Sequence, residues 1–211
     1  KMRARMDFEE WEPYYTRILE SFGFEREKDE EAALLLAALL PGDDLPLLDA
    51  LCRDTVVTVC GNAPCLKDEL FRIEGNVFAA DAASEVLLRA GIRPDAVFTD
   101  LDGATDDYLS MNCEGTVMVI HAHGDNIPLI RYWTPRFAGP VVGTTQSRPV
   151  PPLHNFGGFT DGDRAVFAAD HLGADRIIII GFDLDDPDVD FIKRGKLQWA
   201  RQLLALIGYA C

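Results

Sequence analysis

Asp100-Leu101-Asp102-Gly103 sets two carboxylates two residues apart, directly after the apolar run Ala96 to Thr99. Carboxylates so spaced behind a strand can reach one hard cation such as Mg²⁺, and Gly103 permits a tight turn. The same residues also suit a solvated turn in which Asp102 caps a following helix. Position behind a buried strand favours function, because strand-end loops present groups from a fixed scaffold. His121-Ala122-His123-Gly124-Asp125-Asn126 offers alternate histidines, a glycine and a carboxylate. Zinc would need a third strong ligand, and none is evident. Asp125 is therefore expected in the metal or phosphate region, with His121 and His123 positioning it or touching phosphate oxygens. A hydrogen-bonded strand end is the plainer alternative.

Asn155 to Arg164 reads as a flexible loop around Gly157 and Gly158 that leads, past Thr160, into a helix whose first amides suit an anion. Asp161 or Asp163 either caps that helix or joins Arg164 in a phosphate and metal arrangement. Gly61-Asn62-Ala63-Pro64-Cys65-Leu66 lacks the GK[ST] ending of a Walker loop, yet its backbone amides could cradle phosphate. Asp81, Thr144-Thr145-Gln146 and Asp183 complete the strand-end candidates. The rest of the acidic run, Asp185 to Asp190, suits a solvated segment, and His154 and His171 are incidental. No serine or cysteine stands in a GxSxG-type turn, which favours direct displacement over a covalent enzyme intermediate.

These groups need a scaffold that presents them together. After Asp54, short apolar β-rich runs at 55–60, 77–80, 96–99, 116–120, 140–143 and 176–180 alternate with helical stretches at 82–90, 127–132, 162–172 and 191–207. That alternation predicts an α/β domain over 54–211, with a mostly parallel sheet and helices on both faces. Every strand ends in a polar or glycine-containing loop, and in a parallel sheet all such loops share one edge, where ligands of open α/β folds bind. A small N-terminal helical region, 1–53, precedes it. Its first helix spans 7–22, with Asp7 as N-cap and Gly23 as stop; a second covers 29–40 and a short third 45–52. Eight of the 12 glutamates precede Ala32, which fits solvated helix faces.

A chain of 211 residues with 48% hydrophobic content can bury its own core. The longest apolar stretch, Ala32 to Leu40, is too short to span a bilayer. The basic start, Lys1 to Arg5, runs into acids rather than the apolar segment of a secretory signal. A cytoplasmic location without membrane attachment is expected. The formal charge of −15 would repel nucleic acid and anionic lipid, which leaves small ligands carried with a cation. Five cysteines without CxxC spacing favour reduced structural thiols. A homodimer is compatible with the sequence, which carries no signal for or against it.

GNAPCL at 61–66, TDLDG at 99–103, HAHGDN at 121–126, TTQ at 144–146 and NFGGFTDGDRA at 155–165 together resemble the archaeal 6-hydroxymethyl-7,8-dihydropterin diphosphokinases. That family looks related to the thiamin diphosphokinases, whose catalytic-domain fold it implies here. The resemblance implies transfer of the terminal diphosphate of ATP to a pterin hydroxymethyl group, with Mg²⁺, in an archaeal pterin pathway; ATP and a reduced pterin would be the partners. It implies Asp100 and Asp102 as metal ligands, with Asp161 and Asp163 as a second acidic motif. Ala63, Cys65 and Ala82 depart from the family's usual Gly, Ser and Gly. Other readings of the same acids are a thiamin-type diphosphokinase, a metal-dependent nucleotide-sugar glycosyltransferase and a nucleotide sensor without turnover.

Overall fold

The β-branched runs pair into a six-stranded sheet of order β5-β4-β3-β2-β1-β6 in which every pair is parallel. The strands are β1 (Val56–Cys60), β2 (Asn76–Ala80), β3 (Ala96–Thr99), β4 (Val117–Ala122), β5 (Val141–Thr145) and β6 (Arg176–Ile180). This computed structural model describes residues 6–209; the basic start and Cys211 lie outside the described residues. Apolar residues cover both sheet faces, as a parallel sheet requires. One core cluster joins Val57, Val59, Phe78 and Phe98 to Trp11, Tyr15, Val166 and Leu203. The other joins Ala79, Val97, Met118 and Ile120 to Leu36, Leu87, Tyr108 and Ile130.

Nine α-helices are described. The first three are α1 (Phe8–Phe22), α2 (Arg26–Leu39) and α3 (Leu45–Cys52). Asp7 caps α1 through a reciprocal bond pair with Glu10, and Gly23 closes it in the left-handed conformation, as the sequence predicts. Next come α4 (Leu66–Glu69), α5 (Ala83–Arg89), α6 (Asp106–Cys113) and α7 (Ile127–Trp133), followed by α8 (Asp161–His171) and α9 (Phe191–Leu206). α4 and α6 add to the helical stretches named from the sequence, since four and eight residues are too few for helical periodicity to stand out. β4 and β5 run two residues further than expected, because the ladder continues through His121↔Thr144 and Ala122↔Thr145. His121, Thr144 and Thr145 thus belong to strands, and the loops begin at His123 and Gln146.

The chain steps along the sheet from β1 to β5, then crosses its whole width to place β6 beside β1. The loops after β1 and β6 therefore diverge at a topological switch point, the usual ligand crevice of open α/β sheets. The long crossing carries α8, which packs on β1, β2, β3 and β6. Its N-terminus arrives over the strand ends, opposite the loops after β2 and β3.

Candidate active site

Where β2 and β3 end, two side-by-side strands deliver Asp81 and Asp100, and the first turn of α8 delivers Asp161. One oxygen of each lies within 4.8 Å of the others. All three donors are carboxylate oxygens, the donor set of a hard cation. The backbone is specialised here: Asp81 and Leu101 both take positive φ, at 44° and 73°, which non-glycine residues adopt at a cost. Gly103 serves space rather than a left-handed turn, since a Cβ there would overlap the Asp81 carboxylate. Asp81 Oδ1 accepts from Thr99 Oγ1 at 2.6 Å and Tyr108 Oη at 3.0 Å, so α6 supplies one of its anchors.

The carboxylates compete for ionisation. Burial, then the charge of Asp100, pushes Asp161 well above the ordinary carboxylate range. Burial raises Asp81 against the opposing bonds from Thr99 and Tyr108. Asp102, on the rim, is pushed up to about 6 by partial burial and by Asp100 and Asp81. Asp100 goes the other way: burial acts to raise it, but the His123 hydrogen bond and the Arg164 charge hold it below the ordinary range. Arg164 Nη1 bonds Asp161 Oδ1 at 3.0 Å, yet one guanidinium does not offset the burial and the neighbouring acids. A cation among these oxygens would relieve the conflict.

His123 bridges this centre to the rest of the sheet edge. Its Nδ1 accepts from the Asp125 amide at 3.3 Å, which leaves the proton on Nε2 to be donated to Asp100 Oδ2, also at 3.3 Å. The cavity over the strand ends holds about 520 Å³ and is lined by the acids, His123, Gln146, Arg164 and the 61–64 loop. Phe24, Phe182, Leu184, Ile192 and Leu197 add apolar lining, and Lys193 and Lys196 add cationic lining. Asp183 lines it as well.

Several sequence-predicted contacts belong instead to the scaffold around the cavity. Asp163 is fully buried and accepts from the Phe159 and Thr160 amides and from Thr160 Oγ1, so it closes the α8 cap while Asp161 faces the site. Gly157 and Gly158 are buried at positive φ, and Cβ atoms there would strike Phe167 and the Arg164 backbone; they permit packing under the loop. Asn126 donates to the carbonyls of Asp100 and His121 at 2.7 Å each. His121 Nδ1 meets Thr144 Oγ1 at 2.9 Å, and burial keeps its ring neutral. Thr145 bonds Ser147. In the expected phosphate cradle, the Gly61 amide is taken by Ile180 O and the Ala63 amide by Gly181 O, and Pro64 has none, so those amides stitch β1 to β6. Asp125, expected at the metal, is exposed on the rim and stands outside the close triad. Asp102 likewise yields its place in that triad to Asp81.

Sequence reasoning did not single out Tyr108, Lys193 and Lys196, or the buried Asp29. Asp29 carried a readable signal, since Asp29, Ala32, Ala33 and Leu36 occupy the buried stripe of α2 at helical spacing.

Comparison with known proteins identifies the family. A family model described as 6-hydroxymethylpterin diphosphokinase MptE-like matches residues 41–189. The 6-hydroxymethyl-7,8-dihydropterin pyrophosphokinase of Methanothermobacter thermautotrophicus is 41% identical, with 94% of each chain covered. Its namesake from Pyrococcus furiosus is 38% identical over 94% of this chain and 93% of its own, and that of Methanocaldococcus jannaschii 34% identical over 94% and 95%. The MAf glycosyltransferase structure from Magnetospirillum magneticum superposes with a TM-score of 0.50 at 21% identity, over 80% of this chain and 29% of that one, a likeness of fold alone. Family match and near-full-length identity together place this chain in the MptE-like 6-hydroxymethylpterin diphosphokinase family.

Proposed function

We propose that this chain transfers diphosphate from ATP to the hydroxymethyl group of 6-hydroxymethyl-7,8-dihydropterin and releases AMP. The observation that carries the reading is the oxygen-only triad of Asp81, Asp100 and Asp161 beside Arg164 at the strand ends, in a chain 41% identical to a protein of that name. Asp81, Asp100 and Asp161 would hold Mg²⁺, with Asp102 at the rim. The ion's chemistry would be charge neutralisation on the phosphate chain, which phosphoryl transfer needs more than covalent help. The hydroxymethyl oxygen attacks the β-phosphorus, the bond from that phosphorus to the α-bridging oxygen breaks, AMP departs with that oxygen, and the hydroxyl proton passes to solvent water. Arg164, Lys193 and Lys196 present positive charge to the cavity, and Phe24 and Phe182 offer it faces for a heteroaromatic ring.

Chromatography and phosphorus NMR of reactions with Mg·ATP and the reduced pterin test this. AMP and pterin diphosphate are expected in equal amounts, with no turnover in chelator. Parallel reactions with thiamin, with UDP-sugars and with no acceptor separate the other readings. ADP as stoichiometric product, or ATP consumption indifferent to the pterin, would reject the assignment.

A further inference from the structure

The family model begins at residue 41, yet a buried acid that accepts three hydrogen bonds, two of them from strand-end loops, lies before it. Asp29, on α2, is 3% exposed. Its Oδ2 accepts from Tyr15 Oη at 2.8 Å and Gln146 Nε2 at 2.7 Å, and its Oδ1 accepts from the Gly124 amide at 2.8 Å. Three donors on one buried carboxylate satisfy the anion without a cation. Two of the three come from the loops that follow β4 and β5, at the sheet edge where the cavity lies. Gly124 is a glycine for this purpose, since a Cβ there would strike Lys28, the residue before Asp29.

We propose that Asp29 is a positioning residue for the diphosphokinase site, acting through Gly124 on His123 and through Gln146 on the cavity wall. Pinning the Gly124 amide fixes the backbone immediately after His123, whose Nδ1 takes the Asp125 amide and whose Nε2–H reaches Asp100. Binding the Gln146 amide nitrogen turns Gln146 Oε1 away from Asp29. That oxygen and His121 Nε2 are both buried with no hydrogen-bond partner, and Gln146 is among the groups acting on the His121 ring. The N-terminal helices thereby hold the loop whose His123 bonds Asp100 and the loop that sets Gln146 in the cavity wall.

The turnover arm of the test rests on the reaction proposed above, whereas the spectroscopic arm does not. Asp29→Asn keeps the volume but replaces one acceptor oxygen with a donor facing donors. It is expected to fold, to lower kcat roughly 10–100-fold, as removal of a group that orients a ligand does, and to leave both KM values within about twofold. The Gly124 amide and His123 ring resonances should shift in its ¹H–¹⁵N spectra. Tyr15→Phe removes a bond to the same carboxylate without touching either loop. It should leave kcat and those resonances unchanged whatever stability it loses. Wild-type kcat in Asp29→Asn, unmoved Gly124 and His123 signals, or an equal kcat loss in Tyr15→Phe would each overturn the proposal. If the wild-type protein does not turn over the pterin, the reaction reading fails while the resonances still decide the positioning claim. Should Asp29→Asn not fold, Asp29→Glu, which shifts the charge by one methylene, is read by the same two measurements.

Discussion

At the scale of single residues, the site is defined by unequal treatment of like groups. Asp100 is held ionised by His123 and Arg164, whereas Asp161, Asp81 and Asp102 are held towards the neutral form by burial and by one another. Asp100→Asn should therefore remove the anchor of the centre, and a loss in kcat/KM on the order of 10²–10³ is expected with an unchanged circular dichroism spectrum. Wild-type turnover at saturating Mg²⁺ would refute that role. Asp102 is expected to behave differently when metal is chelated. Its folded-state pKa of about 6 lies above the ordinary 3.8, so ionising it opposes folding. The penalty is absent below pH 3.8 and develops as pH rises through about 6. In chelator, Asp102→Asn should thus raise Tm at pH 7.5, on the order of 1–3 °C once rim solvation is allowed for, and change little at pH 4. Thermal scans at the two pH values check the sign; a Tm lowered at pH 7.5 would refute the repulsion.

At the scale of elements, α9 closes the cavity with a stripe of Lys193, Lys196, Leu197 and Ala200 at helical spacing, of which only Ala200 is buried. Neither lysine ammonium has an acid partner among the described residues, so both are free to meet an anion. Lys193→Met with Lys196→Met is expected to raise KM for ATP roughly tenfold, equivalent to about 1.4 kcal/mol, with kcat within twofold and Tm unchanged. Initial rates over an ATP series decide it, and an unaltered KM would remove these lysines from phosphate contact. The sequence reading passed over them because they follow the acidic run 183–190, whose composition suggests only solvent. Elements with strong local patterning were legible: all six strands lie within two residues of their expected bounds, and the cap and stop of α1 are as read. What local pattern cannot contain is the return of β6 to β1, a pairing of distant segments. The membership of the triad was out of reach for the same reason. Asp81 joins Asp100 because β2 lies beside β3, and Asp161 rather than Asp163 faces them because helical phase turns its neighbour into the cap.

At the scale of the molecule, the N-terminal helices and the sheet form continuous cores on both faces, and Asp29 shows that the helices also reach the site. The formal charge of −15 read from composition has its counterpart in the cavity, which is lined by Asp81, Asp100, Asp102, Asp125, Asp161, Asp183, Asp186 and Asp190 against Arg164, Lys193 and Lys196. On the proposed reaction, an anionic nucleotide approaching this surface would meet a field of its own sign, and only near the lysines and a triad loaded with metal would local attraction prevail. Steering by the whole molecule therefore opposes the capture of ATP, and added salt, by screening beyond a Debye length of about 10 Å at 0.1 M, should weaken the opposition more than the short-range contacts. The expected result is a kcat/KM for ATP that rises about two- to fivefold between 20 and 200 mM ionic strength at fixed, saturating free Mg²⁺, as repulsive long-range fields dictate. The reduced pterin, which lacks the phosphates, should show little dependence. Stopped-time assays across that range settle the matter, and a kcat/KM for ATP that falls with salt would mean that Lys193, Lys196 and Arg164 dominate the approach rather than the acids around them.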